Sequence, residues 1–273
     1  MKFITIFNII AKGSSVFGIF WLVNDSNDYC IAALLQAITP LLAGILSLLM
    51  LTFTNRELFC CPSLNDIREK YQDGWDIFIS TVFINLYTNS NVVILKILTN
   101  DTCVGYYSAA SKIIDILKGV LTPISNAIFP HVSALVQKSQ ADAIIFLRKA
   151  VRIIGTISFV LSSIMFFMAD FVVTLIMGSD YNSSVEILRI ISCLPFIIAL
   201  SNVFGIQTMV SFGMQRVFSR ILMLSSVINF LLVFPMVYYA QAVGMAVTTV
   251  IVECFVTLSM YCVLNRKGIK LIR

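Results

Sequence analysis

Long apolar stretches alternate with short polar segments along the whole chain. Most of the apolar stretches hold about 20 residues or more, which lets a helix cross the roughly 30 Å hydrocarbon core of a bilayer. The pattern therefore predicts an all-α protein that crosses a membrane several times. About eight transmembrane helices are predicted, at 3–23, 31–53, 76–98, 104–136, 150–177, 186–212, 218–239 and 242–264.

The connections between these spans alternate in charge. Lys and Arg are absent from 24–29, 99–103, 178–184 and 240–241, but occur in 54–75, 137–149, 213–220 and the tail after Asn265. Because Lys and Arg collect in the cytoplasmic loops of membrane proteins, we expect the basic segments and both termini in the cytoplasm. The first apolar run is not followed by a small-residue cleavage site, so no cleaved signal peptide is expected.

The composition agrees with a multi-pass membrane protein and limits its chemistry. Hydrophobic residues make up 59% of the chain, charged residues only 12%, and the mean hydropathy is +0.93. The net charge of +5 is spread over short connections, so no nucleic-acid partner is expected. The cysteine spacing and the single histidine, His131, form no recognisable metal site, and no cofactor motif is visible. We therefore expect no catalytic residues and no enzyme.

The fourth predicted span carries charges that a lipid-facing helix would tolerate poorly. One arc of it holds Lys112 and Asp115, with Lys118 at its edge, and the opposite arc is apolar. A charge at the bilayer centre costs about 2.5–3.5 kcal/mol, whereas each Leu or Ile returns about 0.3–0.6 kcal/mol. The charges are therefore predicted to line a cavity, in a helix that Pro123 and Pro130 bend. The alternative is a structural pair of Lys112 with Asp115, while Lys118 reaches the nearer membrane surface.

Four further polar residues within the predicted spans are candidates for a functional role. Asn85 and Asn89 share one face of the third span, where they either line the cavity or join neighbouring helices. Lys12 in the first span either reaches the membrane surface or faces the same cavity. Glu253 interrupts the charge-free part of the last span, and it is a candidate for ion coupling or for a structural hydrogen bond.

Four stretches of the chain carry a family resemblance. They are GWDIFISTVFINLYTNSNVVIL, GYYSAASKIIDILKGVLTPISNAIFPHVS, YNSSVEILRIISCLPFIIALSNVFGIQTM and AVGMAVTTVIVECFVTLSMYCVLNRKGI. Together they resemble Wzx-type O-antigen flippases, polysaccharide transporters of the MOP superfamily, to which the MATE exporters also belong. The resemblance covers nearly the whole chain. It implies a MATE-like fold in which two lobes of six helices surround a central cleft.

The resemblance also implies how the chain divides. Residues 1–53 would be the last two helices of the first lobe, 54–75 the cytoplasmic connector, 76–264 the complete second lobe, and 265–273 a basic cytoplasmic tail. The first four helices of the first lobe would be missing, so a chain truncated at its amino terminus is expected. Within the connector, Ser63 followed by Asp66 predicts the start of a short polar helix.

The substrate of this family is an oligosaccharide carried on undecaprenyl diphosphate. The transporter moves it by alternating access from the cytoplasmic to the periplasmic leaflet of the bacterial inner membrane. We expect Lys112 and Lys118 to contact the diphosphate and Asp115 to position them. Further expected substrate contacts are Lys12, Asn85 and Asn89. Glu253 is a candidate for ion coupling. Membrane lipids and other polysaccharide assembly proteins are the expected partners. Two alternatives stay open: a truncated fragment without activity, and a MATE-like exporter of small molecules.

Overall fold

The computed structural model describes residues 2–22, 28–54 and 63–272, and these residues are almost entirely helical, without a strand. The helices are α1 (Lys2–Leu22), α2 (Tyr29–Thr54), α3 (Leu64–Leu98), α4 (Asp101–Lys138), α5 (Gln140–Phe167), α6 (Ala169–Met177), α7 (Ser183–Ile191), α8 (Leu194–Asn202) and α9 (Gln215–Arg266), with a 3₁₀ turn at Ser179–Tyr181 and a π-helical segment at Val203–Val210. The prediction of an all-α protein is confirmed.

The chain forms two compact units, Met1–Glu69 and Lys70–Arg273. In the first unit α1 packs against α2, where Gly18 leaves room for the side chain of Leu35 and Ser15 Oγ donates a hydrogen bond to the Leu35 carbonyl over 3.4 Å. The second unit contains the rest of α3 from Lys70 onwards and all later helices. The unit boundary falls inside the predicted connector 54–75, whose residues 55–62 lie outside the described ranges. The assignment of these parts to two lobes stays a prediction.

Helix α3 begins where the sequence predicts a helix start. The amide of Asp66 donates to Ser63 Oγ over 3.2 Å, and the amide of Ser63 donates to Asp66 Oδ2 over 3.1 Å. This reciprocal cap satisfies two of the backbone donors that a helix start leaves free. The predicted short polar helix is not a separate element, because it continues without a break into the third span.

Five helical stretches of the described residues are long and apolar enough to cross a bilayer: Ile77–Leu98, Asp101–Lys138, Gln140–Phe167, Ser183–Val210 and Gln215–Arg266. The stretch Ser183–Val210 comprises α7, α8 and the π-helical segment. Large apolar side chains remain exposed on many of these helices, as expected of surfaces that face lipid. The chain is therefore a polytopic membrane protein, and its eight spans stay a prediction.

Helix α9 contains two spans rather than one. Its 52 residues would measure about 78 Å at 1.5 Å per residue, more than twice the hydrocarbon thickness. The helical backbone breaks at Ala240 and Gln241, and Gln241 has a φ of 46°. The break coincides with the connection predicted at 240–241, so α9 has a first arm at 215–239 and a second arm at 242–266. Just after the break, Gly244 lies against the backbone carbonyl of Met236.

Two clusters of buried apolar side chains form the core of the second unit. One includes Leu147, Phe204 and Leu264, and the other includes Leu95, Ile114 and Met245. Both clusters receive side chains from α3, α4 and α9. These three helices therefore share both parts of the core of the second unit.

The close approach at Gly244 predicts that Gly244→Ala destabilises the protein. A Cβ at this position would overlap the carbonyl oxygen of Met236, which cannot move without shifting the first arm of α9. Overpacking of this kind costs about 1–3 kcal/mol, so thermal unfolding in detergent should occur at a lower temperature. Gly105→Ala is the control, because no atom lies within 4 Å of a Cβ added there. Equal unfolding temperatures for the two variants would contradict the packing of the two arms.

Candidate functional site

A polar cavity of about 190 Å³ lies inside the second unit, and we call it the inner cavity. Helices α3, α4, α7, α8 and the second arm of α9 form its wall. Its lining residues are Thr88, Asn89, Asn91, Val92, Tyr107, Ser111, Ile114, Asp115, Lys118, Ile191, Leu194, Ile198, Thr249 and Glu253. Polar side chains from three membrane-crossing helices thus converge in a bundle whose outer surface is largely apolar.

Glu253 has both a partner and access to this cavity. Tyr87 Oη donates a hydrogen bond to Glu253 Oε1 over 3.1 Å, and both side chains are buried, with 4% and 6% exposure respectively. The bond joins α3 to the second arm of α9 across 166 residues of sequence. A buried carboxyl group without a donor would cost several kcal/mol, so Tyr87 makes the position of Glu253 tolerable.

The ion pair on α4 joins Asp115 to Lys118. Lys118 Nζ donates to Asp115 Oδ1 over 3.0 Å, and the two side chains are 35% and 59% exposed respectively. Both residues line the inner cavity, as the polar arc predicts. The alternative pairing of Lys112 with Asp115 is wrong, because Asp115 bonds to the lysine that follows it by one helical turn.

Lys112 does not lie with Lys118 in the inner cavity. It is exposed on α4, and its side chain has no hydrogen bond or ion pair within the described ranges. Lys12 is exposed on α1 in the first unit. The inner cavity therefore contains one ammonium group and two carboxyl groups, those of Asp115 and Glu253. It is not the uniformly cationic wall that the sequence suggests.

The two asparagines of the third span differ in their surroundings. Asn89 lines the inner cavity, and its amide donates to Asn85 Oδ1 over 3.1 Å. Asn85 is not a lining residue, and its amide donates to the Thr81 carbonyl over 3.0 Å. Both hydrogen bonds stay within α3 and therefore do not join it to another helix.

Sequence reasoning missed a second set of polar contacts beside the cavity. The amide of Asn229 donates to Asn91 Oδ1 over 2.8 Å, which joins the first arm of α9 to α3. The hydroxyls of Tyr107 and Thr249 lie 3.2 Å apart and join α4 to the second arm. Asn91 and Asn229 are conspicuous as amides within apolar runs. Tyr87 and Tyr107 give no such signal, because tyrosine is equally common at membrane surfaces.

The Tyr87–Glu253 bond predicts that Tyr87→Phe destabilises the protein by about 1–3 kcal/mol, since it leaves a buried acceptor without its donor. Thermal or denaturant unfolding in detergent measures the loss. Tyr71→Phe removes the same hydroxyl from an exposed site on the same helix, so it should leave stability unchanged. If both variants unfold alike, the hydrogen bond does not hold α3 against α9.

Comparisons with known proteins show what the chain is similar to. Residues 1–136 match the family described as "Polysaccharide biosynthesis protein". A protein of Escherichia coli (strain K12) is 34% identical over 98% of this chain, and one of Shigella dysenteriae is 28% identical over 95% of it; each is named "Putative O-antigen transporter". The chain spans 65% of the length of each relative, and no solved structure matches it significantly. These likenesses confirm the resemblance to Wzx-type O-antigen flippases.

Proposed function

We propose that the chain forms part of a flippase that moves an oligosaccharide on undecaprenyl diphosphate from the cytoplasmic to the periplasmic leaflet of the bacterial inner membrane. The observation that carries the proposal is the inner cavity, a polar space with ionisable side chains inside a membrane-crossing bundle. Polar groups at this depth are costly and typically mark a transport path. The two relatives named as O-antigen transporters support the same role.

In this proposal Lys112 and Lys118 bind the diphosphate. Lys112 is exposed and has no side-chain partner within the described residues, so its ammonium group is available to an anion. Lys118 already bonds to Asp115 over 3.0 Å, and a phosphate oxygen that approaches it competes with that carboxylate. Asp115 thereby holds Lys118 in place before the substrate arrives. Charge-assisted hydrogen bonds of this kind are roughly twice as strong as neutral ones.

Alternating access requires helices that bend, and two irregular segments of the second unit provide positions where bending can occur. Pro123 and Pro130 each remove a backbone donor from α4. The π-helical segment Val203–Val210 faces that region, because the amide of Gln207 donates to Ser125 Oγ over 2.8 Å. Both kinds of irregularity mark positions where helices kink or hinge. We infer that α4 and this segment move together when the transporter changes state.

Glu253 is the candidate for ion coupling in this mechanism. It lines the inner cavity while it accepts a hydrogen bond from Tyr87, so a proton that enters the cavity can reach its carboxyl group. Uptake or release of a proton would change the charge beside Asp115 and Lys118, which line the same cavity. Such a change can bias the two conformations of a transporter.

Export of small organic cations, as in MATE-like transporters, is the second candidate function. The presence of two carboxyl groups and one ammonium group in the inner cavity favours it. The two candidates differ in the lysines. A diphosphate needs their positive charge, whereas a cationic substrate is bound better without it.

The double substitution Lys112→Gln and Lys118→Gln is expected to lower O-antigen at the cell surface about tenfold or more, because each lost contact to phosphate is worth about 1.5–3 kcal/mol. The substitutions are made at the chromosomal locus, and surface O-antigen is measured by immunoblot at matched protein abundance. Lys149→Gln is the control, because Lys149 is exposed on α5 and does not line the inner cavity. Replacing both lysines with Arg keeps the charge and should retain export. Undiminished O-antigen in the double Gln variant would refute the proposed contact.

Glu253→Gln separates a coupling role from a structural one. The amide oxygen of Gln can still accept the hydrogen bond from Tyr87, so the variant should unfold at nearly the same temperature as the parent protein. Gln cannot take up a proton, so export should fall strongly, and the remaining export should no longer respond to an uncoupler of the proton gradient. Normal export by a stable Gln variant would assign Glu253 a structural role only.

A further inference from the structure

The segment after α9 folds back onto the second unit. Gly268 has a φ of 80°, and the amide of Ile269 donates to the Leu264 carbonyl over 3.0 Å. A glycine with positive φ reverses the chain at a helix end with little strain. Leu271 is then buried in the first apolar cluster, with 4% exposure. The tail is therefore packed against the helices rather than extended away from them.

A second contact fixes the tail beside Lys270. Arg148 Nε on α5 donates to the backbone carbonyl of Lys270 over 2.8 Å. Because Leu271 is buried next to this bond, the backbone of Lys270 is held on both sides. Its side chain remains exposed and has no partner within the described residues. The fold thus positions an unpaired ammonium group.

A surface pocket of about 360 Å³ opens at this place, and we call it the tail pocket. Its lining residues are Cys262, Asn265, Arg266 and Lys270. Arg266 resembles Lys270 in being exposed without a side-chain partner in the described part of the chain. The tail pocket therefore combines a guanidinium, an ammonium and an amide, and no acidic side chain lines it.

The tail pocket lies at the end of a helix that is long and apolar enough to cross the membrane, where the headgroup layer is expected. The second arm of α9 ends at Arg266, and Cys262 is one turn inside that end. The charge pattern predicts that this end faces the cytoplasm. A planar guanidinium group and an ammonium group can together bind phosphate, because both are cationic and Arg binds phosphate through paired hydrogen bonds. Basic pockets at the cytoplasmic ends of membrane helices bind anionic headgroups in this way.

We propose that the tail pocket binds the phosphate headgroup of an anionic phospholipid and so anchors the folded tail to the membrane surface. The proposal does not depend on the transported substrate, because no residue of the tail pocket lines the inner cavity. The expected ligand is a phospholipid rather than free phosphate, because Cys262 extends the tail pocket towards the hydrocarbon, where an acyl chain continues from the headgroup.

The test uses protein purified from membranes in detergent, with phosphatidylglycerol, zwitterionic phosphatidylcholine or soluble glycerol phosphate added separately. Native mass spectrometry counts the lipids that stay bound, and thermal unfolding reports the stabilisation.

The parent protein should retain phosphatidylglycerol over phosphatidylcholine. The double substitution Arg266→Gln and Lys270→Gln should weaken that binding by about thirtyfold, since the two basic residues together contribute about 2 kcal/mol at an anionic surface and each 1.4 kcal/mol is a factor of ten. Unfolding in phosphatidylcholine should be the same for both proteins, which shows that the variant is folded.

A matched control separates a pocket from general surface charge. Lys149→Gln with Lys267→Gln removes the same charge from exposed residues that do not line the tail pocket. This variant should keep phosphatidylglycerol binding. Equal losses in the two double variants would overturn the proposal in favour of non-specific attraction. Equal retention of phosphatidylglycerol and phosphatidylcholine by the parent protein would overturn it as well. So would stabilisation by glycerol phosphate that equals the stabilisation by phosphatidylglycerol.

Discussion

A buried carboxyl group inside a lipid-surrounded bundle needs a hydrogen-bond donor, and Tyr87 is the donor to Glu253. The hydroxyl and the carboxylate lie 3.1 Å apart on helices that are far apart in sequence. In a medium of low polarity this bond is strong, and its loss would leave an uncompensated group. It joins two parts of the wall of the inner cavity, because α3 and the second arm of α9 each contribute lining residues to that cavity.

Around this bond the second unit separates polar from apolar surface. Asn91 bonds to Asn229, and Tyr107 bonds to Thr249, so hydrogen bonds link the helices in the interior, although Asn229 Oδ1 itself has no partner among the described residues. The outer surfaces of α4 and α9 expose Ile116 and Leu231 instead. Because lipid offers no hydrogen bonds, this arrangement is the stable one. Asp115 and Lys118 lie at the cavity, where they remain partly exposed and paired.

The sequence predicts local features of this fold well. The break at Ala240 and Gln241, the cap at Ser63 and the polar arc of α4 all follow from neighbouring residues, and the structure contains each of them. The sequence does not reveal which polar residues meet across helices. Periodicity predicts which residues share a face of a helix, but not how that helix is rotated against its neighbours. For this reason the sequence predicts Lys112 beside Lys118 in the inner cavity, whereas only Lys118 lines it in the structure. The partnership of Tyr87 with Glu253 depends on that rotation as well.

If the inner cavity offers water and polar groups a path within the membrane, a hydrophilic reagent should reach the residues that line it. Thiol labelling in a cysteine-free background tests it most directly, with a hydrophilic maleimide added to intact membranes. Ser111→Cys lies in the cavity lining, whereas Val120→Cys lies on the exposed apolar arc of the same helix. The thiol at position 111 should react readily, and the thiol at position 120 should not. Reaction at neither position, or faster reaction at position 120, would contradict it.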